Sequence, residues 1–133
     1  MQKVIIAGSR DFDDYDYLTQ KVEHCMRHVS RFEVVSGGAR GADQLGERYA
    51  KEQDLPLKIF PAEWDAHGKA AGYRRNREMA AYADAVIAFW DGYSRGTWHM
   101  IKFGMKQGLS VWIWRTDNPK QSTKQKPRLG FGL

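Results

Sequence analysis

Three apolar runs in this chain each end in a glycine- or serine-rich turn, and each turn leads straight into a helix-like pattern. Val4-Ile5-Ile6-Ala7 runs into Gly8-Ser9-Arg10. Phe32-Glu33-Val34-Val35 runs into Ser36-Gly37-Gly38-Ala39-Arg40-Gly41. Ala85-Val86-Ile87-Ala88-Phe89-Trp90 runs into Asp91-Gly92-Tyr93-Ser94-Arg95-Gly96-Thr97. Strands alternating with helices specify a parallel sheet covered on both faces, with right-handed crossovers. A helix that starts beyond a parallel strand presents unpaired N–H groups and the positive end of a dipole, which together attract anions.

The periodicity predicts strands at 3–7, 32–36, 57–60, 85–90 and 109–114. It predicts helices at 14–30, 41–53, 72–83 and 97–107, with Gly108 closing the last. Leu18, Val22, Cys25 and Val29 share one helix face, and Ala42, Leu45 and Tyr49 another. Leu55-Pro56 ends the second helix, because a residue before proline avoids helical backbone. A long loop is expected at 61–71. The expected fold is α/β, a Rossmann-like doubly wound parallel sheet of five strands with helices on both faces. In such sheets ligands bind beyond the carboxyl ends of the strands, where the strand order reverses.

The chain's 133 residues make one domain, and 42% hydrophobic residues supply a core. The single cysteine, Cys25, rules out an intrachain disulfide framework. No apolar run is long enough to span a membrane and no signal-peptide pattern opens the chain, so a cytoplasmic protein is expected. Of the net charge of +5, residues 116–133 carry +3 through Lys120, Lys124, Lys126 and Arg128 against Asp117. This divides the chain into a domain at 1–115 and a basic, polar extension at 116–133. The domain is only mildly basic. The placement of its arginines is more telling, since Arg10, Arg40, Arg74, Arg75 and Arg95 lie in or beside the glycine-rich turns. A guanidinium suits phosphate because its planar fork donates paired hydrogen bonds.

The turn at 36–43 is the strongest local signal. Gly38 and Gly41 match the second and third glycines of the dinucleotide pattern, while Ser36 replaces the first. No lysine of the P-loop type follows, which argues against that ATPase class. Arginines at the start of the third helix oppose its dipole, a conflict relieved by an anion near Arg75 and Asn76. The expected binding set is Gly8, Ser9, Arg10, Ser36, Gly37, Gly38, Ala39, Arg40, Gly41, Asp43, Arg75, Asn76, Asp91, Gly92, Ser94, Gly96 and Thr97. Backbone N–H groups of Gly37, Gly38 and Gly96, with hydroxyls of Ser94 and Thr97, are expected to hold phosphate. Asp43 or Asp91 would meet a ribose, and Asp91 is the catalytic candidate if a reaction occurs. Each turn also has a plain reading as a tight strand-to-helix connection. Trp64 and Tyr73 are candidates for stacking on a base, or for packing. His24 and His28 have a metal-like spacing but lack the glutamate of the zinc-protease motif, and no metal is expected.

At these residues the chain resembles the SLOG superfamily, in its YspA-like (YpsA-related) branch. The matching pieces are Gly8-Ser9-Arg10, Ser36 through Asp43, Ala71-Gly72 with Arg75-Asn76, and Phe89 through Thr97. The resemblance implies a nucleotide or nucleotide-derived phosphate ligand and a homo-oligomer, dimer or tetramer. Superfamily relatives include the LOG enzymes, which cleave ribose 5-phosphate from a modified adenine nucleotide, and the DprA proteins, which bind single-stranded DNA. In LOG enzymes a Pro-Gly-Gly-x-Gly-Thr loop precedes a catalytic glutamate. The corresponding positions here hold His99 and Met100. Three function classes therefore stand open: a nucleotide-binding or sensing domain, a hydrolase of an N-glycosidic or phosphoester bond, and a nucleic-acid binder that uses the basic tail.

Overall fold

The computed structural model describes residues 1–117 and the backbone of residues 128–129. Its elements run β1 (Gln2–Gly8), α1 (Tyr15–Cys25), β2 (Phe32–Ser36), α2 (Ala42–Glu52) and β3 (Leu57–Ile59). They continue as α3 (Trp64–His67), a 3-10 turn (Gly68–Ala70), α4 (Ala71–Tyr82), β4 (Ala85–Trp90), α5 (Arg95–Lys106), β5 (Ser110–Arg115) and β6 (Arg128–Leu129). The sheet order is β3-β2-β1-β4-β5-β6. The first five strands pair in parallel, as in the expected doubly wound α/β fold. β6 is an antiparallel addition from the tail, with Val111 opposite Leu129 and Trp112 opposite Arg128. The rest of the expected extension, 118–127 and 130–133, lies outside the described residues.

Successive strand residues face opposite ways, so one apolar run serves two cores. Val4, Ile6, Val34, Ile87 and Phe89 pack with Leu18, Val22 and Cys25 of α1 and with Ala42, Tyr49 and Ala50 of α2. Ile5, Ala7, Val35, Val86 and Ala88 pack with Met79 and Ala80 of α4 and with Met100 and Ile101 of α5. Leu45 and Val29 are half-buried at the margin of the first core. Trp114 is buried there, whereas Trp98 is exposed and stacks on Trp90 at 5.3 Å between ring centroids.

α1 stops five residues before the expected end. Its last turn closes through Met26 N–H on Val22 O, and Arg27 folds its guanidinium back onto His24 O. His28 therefore lies beyond the helix, and the two histidines do not share a helical face. Among the described residues, no group of three or more His, Cys, Asp or Glu is arranged to hold a metal. Nor is any helix among them long and apolar enough to cross a membrane. The expected loop at 61–71 instead holds α3 and the 3-10 turn.

The chain winds β1–β2–β3 outward, then crosses back to β4 and β5. The order reverses between β1 and β4, and the space above their carboxyl ends is where a doubly wound sheet leaves a crevice.

Candidate functional site

The loops after β1, β2 and β4 meet above this reversal, and Ser9 ties them together. Its N–H donates to Phe89 O at 3.0 Å, and its carbonyl accepts from Ala42 N–H at 3.3 Å at the start of α2. Its hydroxyl oxygen accepts from Asp91 N–H at 3.2 Å and lies 3.1 Å from the Ser94 hydroxyl. Ser9 is 4% exposed, and its hydroxyl is engaged in holding the loops in place.

Beside this knot lies a cavity of about 380 Å³. Four arginines line it, Arg10, Arg40, Arg75 and Arg95, against two carboxylates, Asp11 and Asp43. Gly8, Ala39, Asn76, Ser94, Gly96 and Thr97 also reach it, while Ala7, Met79 and Met100 supply apolar wall. Gly37 and Gly38 face an adjoining hollow of about 570 Å³ that shares Arg10, Ala39, Arg40 and Arg75 with the first. Ser36 and Gly41 lie behind the turn and line neither space.

The turn after β2 is already occupied by the protein's own side chains. Gly38 N–H donates to Ser36 Oγ at 3.1 Å, and the Ser36 hydroxyl donates to the Glu47 carboxylate at 2.6 Å. Ala39 N–H donates to the Asp43 carboxylate at 3.1 Å. The phosphate role expected of Gly38 N–H thus meets a competing internal acceptor. Arg75 is equally engaged. Its Nε donates to the Asn76 side-chain oxygen at 2.9 Å, and its Nη1 donates to Gly37 O and, at 3.5 Å, to Phe60 O. The guanidinium lies so close to Gly37 that a Cβ there would meet Arg75 Nη1 at 2.6 Å. Arg75 thus pins α4 to the ends of β2 and β3.

The start of α5 is different. No acceptor among the described residues takes the first-turn N–H groups of Arg95, Gly96 and Thr97. A Cβ on Gly96 would meet nothing within 4 Å, so this end of the helix opens directly into the cavity. Asn76 Nδ2 donates to Gly96 O at 3.1 Å and steadies that turn from α4. Open donors at a helix start, in a space lined by four arginines, are the features that suit an anion.

The two aspartates separate. Asp91 faces another hollow, of about 370 Å³, with Ser9, Asp13, Asp14, Tyr17 and Arg115. Its carboxylate accepts from the N–H groups of Tyr93 and Ser94, each at 2.8 Å, and from the Ser94 hydroxyl at 3.2 Å. Partial burial pushes it up, but these bonds, from Ser94 and then Tyr93, outweigh burial and hold it below the usual carboxylate range. Gly92 turns the same way, its φ of 88° setting it against the Arg115 guanidinium. The structure therefore places Asp91 and Gly92 outside the arginine cavity. Asp43 lies within it, buried. Burial dominates and pushes its carboxyl up to about 6, despite the Ala39 N–H and the Arg75 charge, which pull it down. Burial in turn lowers Arg75, and Asp43 offsets part of that.

A stability prediction follows from Asp43. Its folded value lies above the ordinary one, so between about pH 4 and 6 the native state keeps a proton that the unfolded chain gives up. This group's contribution is fully favourable below about pH 4 and is lost as pH rises through about 6, by about 3 kcal/mol. Urea unfolding of the wild type and of Asp43→Asn should show that slope in the former only. Parallel slopes would mean that Asp43 titrates normally.

Sequence reasoning did not single out Glu47 or Met79, and it named Met100 only as standing where LOG enzymes carry a glutamate. Glu47 was legible as the residue one helical turn after Asp43. Nothing in the sequence pattern marks the spot where a core ends and a cavity floor, here Met79 and Met100, begins.

Comparison with known proteins bears on the family and the fold. A family model described as the YspA, cpYpsA-related SLOG family matches residues 2–67, from β1 through α3. The Gene 61 protein of Mycobacterium phage D29 is 37% identical over 121 residues, covering 84% of this chain and 94% of that protein. The X-ray structure of DNA processing protein A (DprA) from Streptococcus pneumoniae shares the fold, with a TM-score of 0.70 at 18% identity. That likeness covers 93% of this chain and 54% of the DprA chain, so this chain spans about half its length.

Proposed function

This chain belongs to the YspA, cpYpsA-related SLOG family, and from that premise we propose that it binds a nucleotide or nucleotide-derived phosphate in the arginine cavity. Family membership supports a nucleotide- or nucleic-acid-related role in general. The observation that carries the finer reading is the start of α5, whose first N–H groups are unclaimed and aimed into a space lined by Arg10, Arg40, Arg75 and Arg95. In this reading the phosphate lies on the N–H groups of Arg95, Gly96 and Thr97 and beside the Thr97 hydroxyl. Arg10 and Arg40 close over it. Arg75 is the brace that sets the spacing of the walls, and Asp91 is the brace of the β4 loop.

The measurement is a thermal-shift panel of nucleoside mono- and diphosphates, with inorganic phosphate and ribose 5-phosphate alongside. A ligand at 100 times its dissociation constant stabilises by about 2.7 kcal/mol. For a domain of this size that raises Tm by about 8–15 °C. No shift with any phosphate compound would remove the reading.

A second reading, hydrolysis of the bound nucleotide, is favoured by one observation: Asp43 is a buried carboxylate in the lining of the cavity, its carboxyl pushed up to about 6 by that burial. A carboxylate beside the ribose suits an oxocarbenium-like transition state. Mass spectrometry of the same samples separates the two. Intact nucleotide supports binding alone, whereas free base with ribose phosphate, abolished in Asp43→Asn, supports turnover.

A further inference from the structure

We infer that the hollow adjoining the arginine cavity is the subsite for the ligand's planar base, so that the binding site selects nucleoside phosphates over sugar phosphates and inorganic phosphate. This rests on the anion site proposed at α5 and names the other end of its ligand. The two spaces adjoin, with Arg10, Ala39, Arg40 and Arg75 in the lining of both. Their remaining linings differ in character. Arg95 and the open N–H groups of α5 belong only to the first space. The second adds Ile59, Pro61, Trp64 and the Glu47 carboxylate. Glu47 is held in place by the Ser36 hydroxyl at 2.6 Å. A phosphate placed there would face a fixed negative charge at short range, whereas a group bearing N–H or O–H donors would find an acceptor. The ligand's direction is thereby set, with its anion at α5 and its donor-bearing end at Glu47.

Trp64 supplies the surface. It is 52% exposed at the start of α3, with Ile59 nearby at 44%. Its ring has no aromatic partner among the described residues, and its edge carbon Cη2 passes 3.5 Å from where a Gly72 Cβ would be. Tyr73, the other stacking candidate in the sequence, is excluded by position. Its ring sits edge-on to His99 and Phe103, at 5.2 and 4.9 Å, and lines neither space. An uncovered indole beside three arginines provides the two elements of nucleotide recognition, a stacking plane and guanidinium donors.

The test is calorimetric titration of the four ribonucleoside 5′-monophosphates and of ribose 5-phosphate into wild type, Trp64→Ala and Trp64→Phe. In the wild type, at least one nucleotide should bind about 10- to 100-fold more tightly than ribose 5-phosphate. Trp64→Ala should erase that preference and leave ribose 5-phosphate binding unchanged, while Trp64→Phe should keep most of it. Equal affinities in the wild type, or a preference that survives in Trp64→Ala, overturn the base subsite and leave the anion site standing. If neither ligand class binds, both readings fall. A short single-stranded oligonucleotide that binds where no mononucleotide does also overturns the inference, in favour of a nucleic-acid surface.

Discussion

Replacing Gly41 with alanine is expected to destabilise the fold by about 3–5 kcal/mol. Gly41 precedes α2 with φ 80° and ψ −128°, backbone territory that side-chain-bearing residues rarely enter. That conformation alone costs about 1–3 kcal/mol for a non-glycine residue. A Cβ there would also strike the carbonyl oxygens of Ser9 and Arg10. These are backbone atoms of the β1 loop, held by the bonds of Ser9 to Phe89, Phe12 and Ala42, so they cannot swing aside. Overpacking of this kind adds about 1–3 kcal/mol. Against a total stability of about 5–15 kcal/mol, the loss is a large fraction. It should lower the urea midpoint by about 2 M. Gly108→Ala is the control. It has a similar φ of 76° but nothing within 4 Å of a new Cβ, so only the strain of about 1 kcal/mol remains. Equal losses in the two variants would show that crowding at the β1 loop contributes nothing.

Gly96→Asp should do the opposite, leaving the fold intact while abolishing anion binding. Gly96 sits in the first turn of α5, with open space where a side chain would grow. Removing a helical glycine gains about 0.5–1 kcal/mol. A carboxylate near a helix start adds about 0.3–1 kcal/mol. Tm should therefore hold or rise. The same carboxylate would stand where the phosphate is proposed to lie and would compete for its N–H donors. Two like charges about 4 Å apart at a protein surface repel by about 4 kcal/mol, so affinity should fall by at least about 100-fold. A Gly96→Asp protein that binds nucleotides as the wild type does would exclude the α5 start as the phosphate site.

The strands were legible because each central one is buried on both faces and so reads as an unbroken apolar run. Val4 through Ala7 and Ala85 through Phe89 are the clearest cases. The turns were legible because only small residues permit the close approaches made there. The convergence of the three loops followed from topology and is seen in the bonds of Ser9. The sequence said less about which N–H groups would be free. Ser36, Asp43 and Asp91 are the residue types that satisfy a turn internally, and also the types that meet a ribose or phosphate. Pattern alone cannot tell an occupied donor from an open one. Hence the amides of the β2 turn looked equivalent to those of α5, and Asp91 looked like a site residue when its carboxylate serves its own loop. The short helix α3 escaped for another reason. Four residues carry too little periodicity to register, and the element depends on contact with the 3-10 turn and α4.

The margins of the sheet limit how copies of this chain can associate. One border is β3, three residues long and bearing Lys58; the other is β6, two residues laid antiparallel over β5. Such short borders offer a neighbouring molecule almost no main-chain template, and a lysine on a border strand further discourages docking. Ribbon-like growth by strand addition is thereby disfavoured. Copies of the described portion thus have little to gain from meeting edge to edge.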